Sequence, residues 1–220
     1  MTHLGDAYPI SSNTREKHVN QATTLFLHGG PGLSAVVERE LYGDSLDVHW
    51  WDQPHFEVLF ARPYQALLND TVLLAKRLAG NGTVNLLAHS FGARIALDVA
   101  RRMSNRIGAV TLIAPTFDVT DGLARLAEHL APGAPNPTRL LAAASRAKLP
   151  GATFAEVWLL VEAVCEVPDF LNAYWGPDAD GRRRWFFDVI AKRPWVDLNT
   201  CKVILEDFWK AQVPDTGTYP

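Results

Sequence analysis

The chain has 220 residues, 48% of them hydrophobic and 20% charged, with a formal net charge of -3. That composition supports a folded core of ordinary domain size and excludes intrinsic disorder. The mildly acidic balance argues against a general nucleic-acid binder. Two cysteines, Cys165 and Cys201, make neither a disulfide scaffold nor a zinc site. No apolar run reaches the roughly 20 residues needed to cross a bilayer, and MTHLGDAYPISSN lacks the apolar centre of a signal peptide. The expectation is a cytoplasmic protein that binds neither nucleic acid nor membrane and uses no metal and no cofactor.

Four strand-length apolar runs lie in the first half, each bounded by turn residues. They are Thr23–His28 (TTLFLH), Asp47–Asp52 (DVHWWD), Thr83–His89 (TVNLLAH) and Ala109–Ala114 (AVTLIA). Pro63–Ala79 carries a helical stripe of Leu67, Leu68, Val72, Leu73, Leu74 and Leu78, with Gly80 placed as its C-cap. Phe91–Met103 reads as a second helix. Strands alternating with helices predict a mostly parallel sheet of about four to five strands, covered on both faces.

From about Thr120 the strand signals stop. Helices are predicted over Gly122–Leu130, Pro137–Lys148, Phe154–Val167, Gly181–Lys192 and Asn199–Ala211, with Pro132–Pro137 as the most linker-like stretch. The expected organisation is a strand-and-helix core over 1–119, an all-helical part over 120–212 and a tail over 213–220.

The chemistry sits where the third strand meets a helix. Ala88-His89-Ser90-Phe91-Gly92 is close to the G-x-S-x-G nucleophile elbow, with Ala88 for the first glycine. Small residues flank the serine because the strand-to-helix turn is sharp and larger side chains would collide across it. The turn lifts the hydroxyl above the sheet and aims a helix N-terminus at any oxyanion formed on attack. A small-x-Ser-x-Gly string by itself also fits a serine that merely caps a helix. Upstream, however, the first strand ends in His28-Gly29-Gly30-Pro31-Gly32, where glycines let backbone N–H groups approach a substrate oxygen.

With both motifs in βα order, the chain resembles an α/β-hydrolase, and within that group the proline iminopeptidase branch. HGGPG at 28–32 is the specific feature. Trp51-Asp52-Gln53 resembles the branch's D-Q-R-G turn, with Pro54-His55 in place of Arg-Gly. The resemblance covers roughly residues 20–212, densely over 23–117. It implies Ser90 as nucleophile, with the N–H of Phe91 and one from Gly29 or Gly30 as oxyanion donors. It also implies a sheet ordered second–first–third–fourth, and it makes the all-helical part over 120–212 a helical cap over the site. A small molecule or short peptide is the substrate class that follows.

A serine needs an imidazole to take its proton, and this fold carries Ser, acid and His in that order. The seven histidines are His3, His18, His28, His49, His55, His89 and His129, none beyond residue 129. The resemblance implies further strands after the cap, carrying the acid and the histidine, so the chain reads as lacking that part. Asp118, after the fourth strand, is a candidate acid or a helix-start cap. His28 and His55 are candidates to line the pocket, His28 also to brace its own loop. His89 reads as orienting the turn. His55 and His129 are the remote candidates for a base. Cap carboxylates such as Glu162, Glu166, Glu206 and Asp207 are candidates to meet a substrate amine.

Five of the seven tryptophans lie in the cap. Trp158 is the one placed at the substrate pocket, though tryptophans at helical spacing also pack helices together. Arg182–Arg184 reads as a solvated helix start, and the cysteines as small core residues. The fourth strand should form an open apolar edge. That edge is expected to be covered by the cap, paired in a homodimer, or completed by a second chain. Two functional readings remain: a serine hydrolase acting on an ester or amide through Ser90 with an incomplete triad, or a hydrolase-derived protein without turnover that binds, assists biosynthesis or is a truncated hydrolase.

Overall fold

The computed structural model describes residues 22–53, 61–174, 180–192 and 198–212. The four apolar runs form strands β1 (Thr24–Leu27), β2 (His49–Trp51), β3 (Val84–His89) and β4 (Ile107–Ile113). They pair in parallel in the order β2-β1-β3-β4, the order that the resemblance implies. Leu27 stands opposite both Trp51 and Ala88, and His89 opposite Ile113. The carboxyl ends of all four strands are therefore level. The HGGPG loop, the Trp51-Asp52-Gln53 turn and the serine elbow leave the sheet side by side.

Helices α1 (Val36–Tyr42), α2 (Pro63–Ala79) and α3 (Gly92–Arg102) alternate with the strands, followed by α4 (Val119–Leu130), α5 (Pro137–Ala147), α6 (Phe154–Cys165), α7 (Asp180–Lys192) and α8 (Leu198–Gln212). The seven-residue α1 is too short to show a helical period and was not expected. Gly80 ends α2 with φ 52°, a left-handed cap that glycine takes without strain. Helix α4 starts earlier than expected because Asp118 caps it, accepting from the Asp121 N–H at 2.9 Å. Thr153 and Glu156 form a capping box at the start of α6.

Two apolar clusters hold the structure. The first joins the sheet to α2, α3 and α8 through Leu25, Leu27, Leu67, Leu86, Ile95 and Ile204. The second joins α4, α5 and α6 through Ala124, Leu140, Leu160 and Val164. Helix α8 falls in the range expected for the cap, yet its Ile204 and Phe208 pack with the sheet, while Trp209 packs on the second cluster. It clamps one cluster to the other. Pro132–Pro137, expected as a linker, is a tight connection inside the second cluster: a 3-10 turn at Ala131–Gly133 and the Asn136 cap of α5.

Among the described residues, strand β4 is an open edge. Ala109 and Thr111 are exposed and Ile113 is 46% exposed. Cover by the cap, one of the three expected arrangements, is absent at these residues. The cap helices pack chiefly on one another and meet the sheet's core through α8. Among the described residues, no helix is long and apolar enough to cross a membrane.

Candidate active site

Ser90 directly follows β3 with φ 51°, in the left-handed region that non-glycine residues rarely occupy. Such a backbone persists only where neighbours hold it. Its N–H donates to the Ile113 carbonyl at 3.0 Å, and its carbonyl accepts from Ala93 at 3.1 Å and Thr116 at 3.3 Å. The serine is thus pinned between the end of β4 and the first turn of α3. Its Oγ stands 3.4 Å from Thr116 Oγ1, its side-chain hydrogen bond among the described residues.

The small residues of the elbow have steric causes. A Cβ on Gly92 would stand 2.4 Å from the Leu27 carbonyl oxygen and 2.5 Å from that of His28. Helix α3 therefore starts in contact with the backbone of β1, which any side chain there would push away. A Cβ on Gly29 would lie 3.0 Å from Ser90 Cβ and 3.1 Å from His89 Nδ1. Gly30 has φ 67°. The glycine loop and the serine therefore meet, as the two motifs together suggest.

His28 explains how the loop is held. Its ring is 1% exposed and stacks on Trp51, with centroids 5.0 Å apart. Nδ1–H donates to the Gly29 carbonyl at 2.9 Å, and Nε2 accepts from the Gln53 N–H at 3.1 Å. Burial pushes its pKa below the ordinary 6.5, so the neutral ring with its proton on Nδ1 satisfies both bonds. Gln53 also accepts the Gly32 N–H at 3.1 Å, and Asp52 accepts the Ala35 N–H at 3.0 Å and pairs with Arg39. Both His28 nitrogens are thus spent on backbone, which leaves none for the substrate contact expected of it. The Asp-Gln pair serves as a brace for the glycine loop.

His89 pairs with Glu38 of α1, Nδ1 to Oε1 2.9 Å, and its ring lies beside Gly29. Neither Glu38 nor Thr116 was singled out in the sequence. Glu38 lies on the unforeseen α1. Thr116 could have been found as the first polar residue after the Ala114-Pro115 exit from β4.

Asp118 is exposed and spends one carboxylate oxygen on capping α4. His129 is exposed in the last turn of α4. Trp158 is half-buried on α6, tilted against Phe154 with Lys202 Nζ 5.3 Å from its ring. Glu166 and Glu206 pair with Arg139 and Lys210. Asp207 is buried against the start of α2. His55, expected to line the pocket, lies outside the described residues. Cys165 is exposed and Cys201 half-exposed, so neither is the core residue expected.

A cavity of about 470 Å³ opens between the start of α4 and the end of α5. Phe117, Asp118, Lys148, Leu149 and Trp209 wall it. Its wall begins at the residue after Thr116, which touches Ser90. Among the described residues, no three of His, Cys, Asp and Glu gather as they would around a metal ion.

A serine at positive φ directly after a strand, a glycine loop against it and a level parallel sheet define a parallel α/β fold with a sharp strand-to-helix turn. The alpha/beta hydrolase family profile matches residues 24–216, and the chain belongs to that family. No curated protein sequence matches it. Among solved structures it is similar to MenH from S. aureus, at 14% identity and TM-score 0.49, covering 86% of this chain and 67% of that one. It is similar to a proline iminopeptidase from Mycobacterium smegmatis, at 18% identity and TM-score 0.40, covering 66% and 51%. It is also similar to an epoxide hydrolase from hot-environment metagenomes, at 20% identity and TM-score 0.43, covering 89% and 65%. The chain thus spans between about half and two thirds of the length of these three.

Proposed function

We propose that the chain is a serine hydrolase that cleaves an ester or amide through Ser90. The observation that carries this reading is the positive φ of Ser90 beside Gly29. A strained serine backbone at a strand-to-helix turn is a conformation that capping a helix does not require. In this reading Ser90 Oγ attacks the substrate carbonyl carbon. The carbonyl oxygen gathers negative charge and is met by the N–H of Phe91 and one from Gly29 or Gly30. The bond to the alcohol or amine then breaks, that group leaves with a proton, and water cleaves the acyl-serine ester.

The substrate is a small molecule or short peptide, held in the cavity beyond Thr116. Apolar Phe117, Leu149 and Trp209 and charged Asp118 and Lys148 share that wall, which suits a ligand with an apolar body and a polar end. Among the described residues, the side chain bonded to Ser90 Oγ is Thr116, a hydroxyl that takes no proton at neutral pH. Full turnover therefore draws its base from elsewhere than these contacts. The same observation favours a second reading, in which the chain binds its ligand without hydrolysing it.

The two separate on a panel of p-nitrophenyl esters given to wild type and Ser90→Ala. Release of p-nitrophenol lost in the variant supports hydrolysis. Saturable quenching of tryptophan fluorescence by the same esters, with no release above the variant, supports binding without turnover.

A further inference from the structure

A second cavity, of about 230 Å³, lies where the start of α2, α3 and α8 meet. Arg62, Arg94, Arg101 and Arg102 reach it, over a floor that includes Tyr64 and Phe208. Four guanidinium groups around one cavity are unusual in a chain whose net charge is -3. Their partners do not balance them. Asp98 accepts from Arg94 Nε at 3.2 Å and Arg101 Nη1 at 2.6 Å, and also from the Tyr64 hydroxyl at 2.6 Å. Arg62 lies 3.5 Å from Asp207, whose other oxygen holds the first amides of α2. Arg102 donates to Asn69 and Gln65, which are both neutral. Among the described residues, two carboxylates thus face four cations, and both are already engaged by other donors.

Cations in the last turn of a helix complement its dipole, which accounts for Arg101 and Arg102. It does not account for Arg62, before α2, or Arg94, in the first turn of α3. The convergence of all four on one hollow is what calls for a ligand.

We propose that this cavity binds a tetrahedral oxyanion, the phosphate group of a small molecule. Guanidinium groups match such oxygens with paired N–H donors and keep their charge at any physiological pH. The volume is below that of a typical site for a whole drug-sized ligand, so it takes the phosphate and a few atoms beside it. The floor rings of Tyr64 and Phe208 pack on Phe91, which is 4% exposed. The anion therefore sits behind the elbow, separated from Ser90 by a layer of aromatic rings, and is not the group that Ser90 attacks. The site stands whether or not Ser90 turns over.

Calorimetric titration at constant ionic strength with inorganic phosphate and with phenyl phosphate tests this. The expected result is saturable binding of at least one, weakened about tenfold or more in Arg101→Gln/Arg102→Gln, as loss of charge-assisted hydrogen bonds requires. Arg62→Gln, on a different element, is expected to weaken binding too, and carries the test if the double variant does not fold. Arg77→Gln removes a cation remote from the cavity and is expected to bind as wild type. Tighter phenyl phosphate identifies an organic phosphate, and equal affinities identify the free anion. No saturation with either by about 10 mM, or equal weakening in Arg77→Gln, overturns the proposal.

Discussion

Gly29 lies so close to Ser90 that a Cβ on the glycine would stand 3.0 Å from the serine Cβ. The contact joins residues 61 positions apart, 90 less 29, through the level ends of β1 and β3. It makes the glycine loop part of the serine's own surroundings. Gly29→Ala is expected to keep the fold while displacing the loop or the serine. Because small misplacements at a reacting centre cost up to about a hundredfold in rate, Ser90 labelling or ester release should fall by about tenfold or more. Circular dichroism checks the fold, and an unchanged rate would show that the contact has no bearing on reactivity.

The same substitution should have opposite signs at two other glycines. Gly92→Ala drives a Cβ into the Leu27 and His28 carbonyls, neither of which can move without opening the sheet. A loss of about 1–3 kcal/mol or more is expected in urea unfolding, as for other overpacked sites. Gly122 is exposed inside α4, and its Cβ would meet nothing within 4 Å. Gly122→Ala should stabilise by about 0.5–1 kcal/mol, the helix propensity difference.

His28 makes the fold sensitive to acid. Its folded pKa lies below 6.5 because burial penalises the charged ring. At pH 6.5 and below, the unfolded chain therefore binds the proton that the folded chain refuses. The stability tied to this group is fully present above pH 6.5 and declines as pH falls, by at most about 1.4 kcal/mol per pH unit. Urea unfolding at a series of pH values should show this slope in wild type and a shallower one in His28→Asn. Equal slopes would remove His28 as the cause.

Asp207 ties α8 to the start of α2. Its Oδ2 accepts from the N–H groups of Tyr64 at 3.0 Å and Gln65 at 3.3 Å, so a carboxylate distant in sequence caps this helix. Asp207→Ala leaves those amides without their acceptor in a site that is 9% exposed. A loss of about 1–3 kcal/mol is expected in thermal or urea unfolding. Asp207→Asn should recover part of it, since the amide oxygen still accepts.

The four strands and the elbow were legible because their signals are local, and the strand order followed only from the family that HGGPG and the elbow resemble. β3 reads as a short apolar run, and Ser90 follows it between small residues. The role of Gln53 was half legible: Trp51-Asp52-Gln53 stood out as a turn, but its grip on His28 and Gly32 spans separate strands and leaves no local period. His28 shows the same limit. Its type fits a ligand-facing residue, and only its burial against Trp51 and two backbone partners shows it as a brace. Helix α8 reads as a cap helix by position. Its allegiance to the sheet depends on Ile204 and Phe208 facing α2 and α3, which no single-helix pattern reveals. Thr116 and Glu38 were missed because each matters through one long-range contact.

The central claim is that Ser90 is an activated nucleophile, and covalent trapping tests it most directly. The purified protein is treated with a fluorophosphonate, which an activated serine displaces at phosphorus with loss of fluoride, and intact mass is read for wild type and Ser90→Ala. The account predicts one added phosphonyl group in wild type, mapped to the peptide carrying Ser90, and none in the variant. An unlabelled wild type, or equal labelling of both proteins, would contradict it.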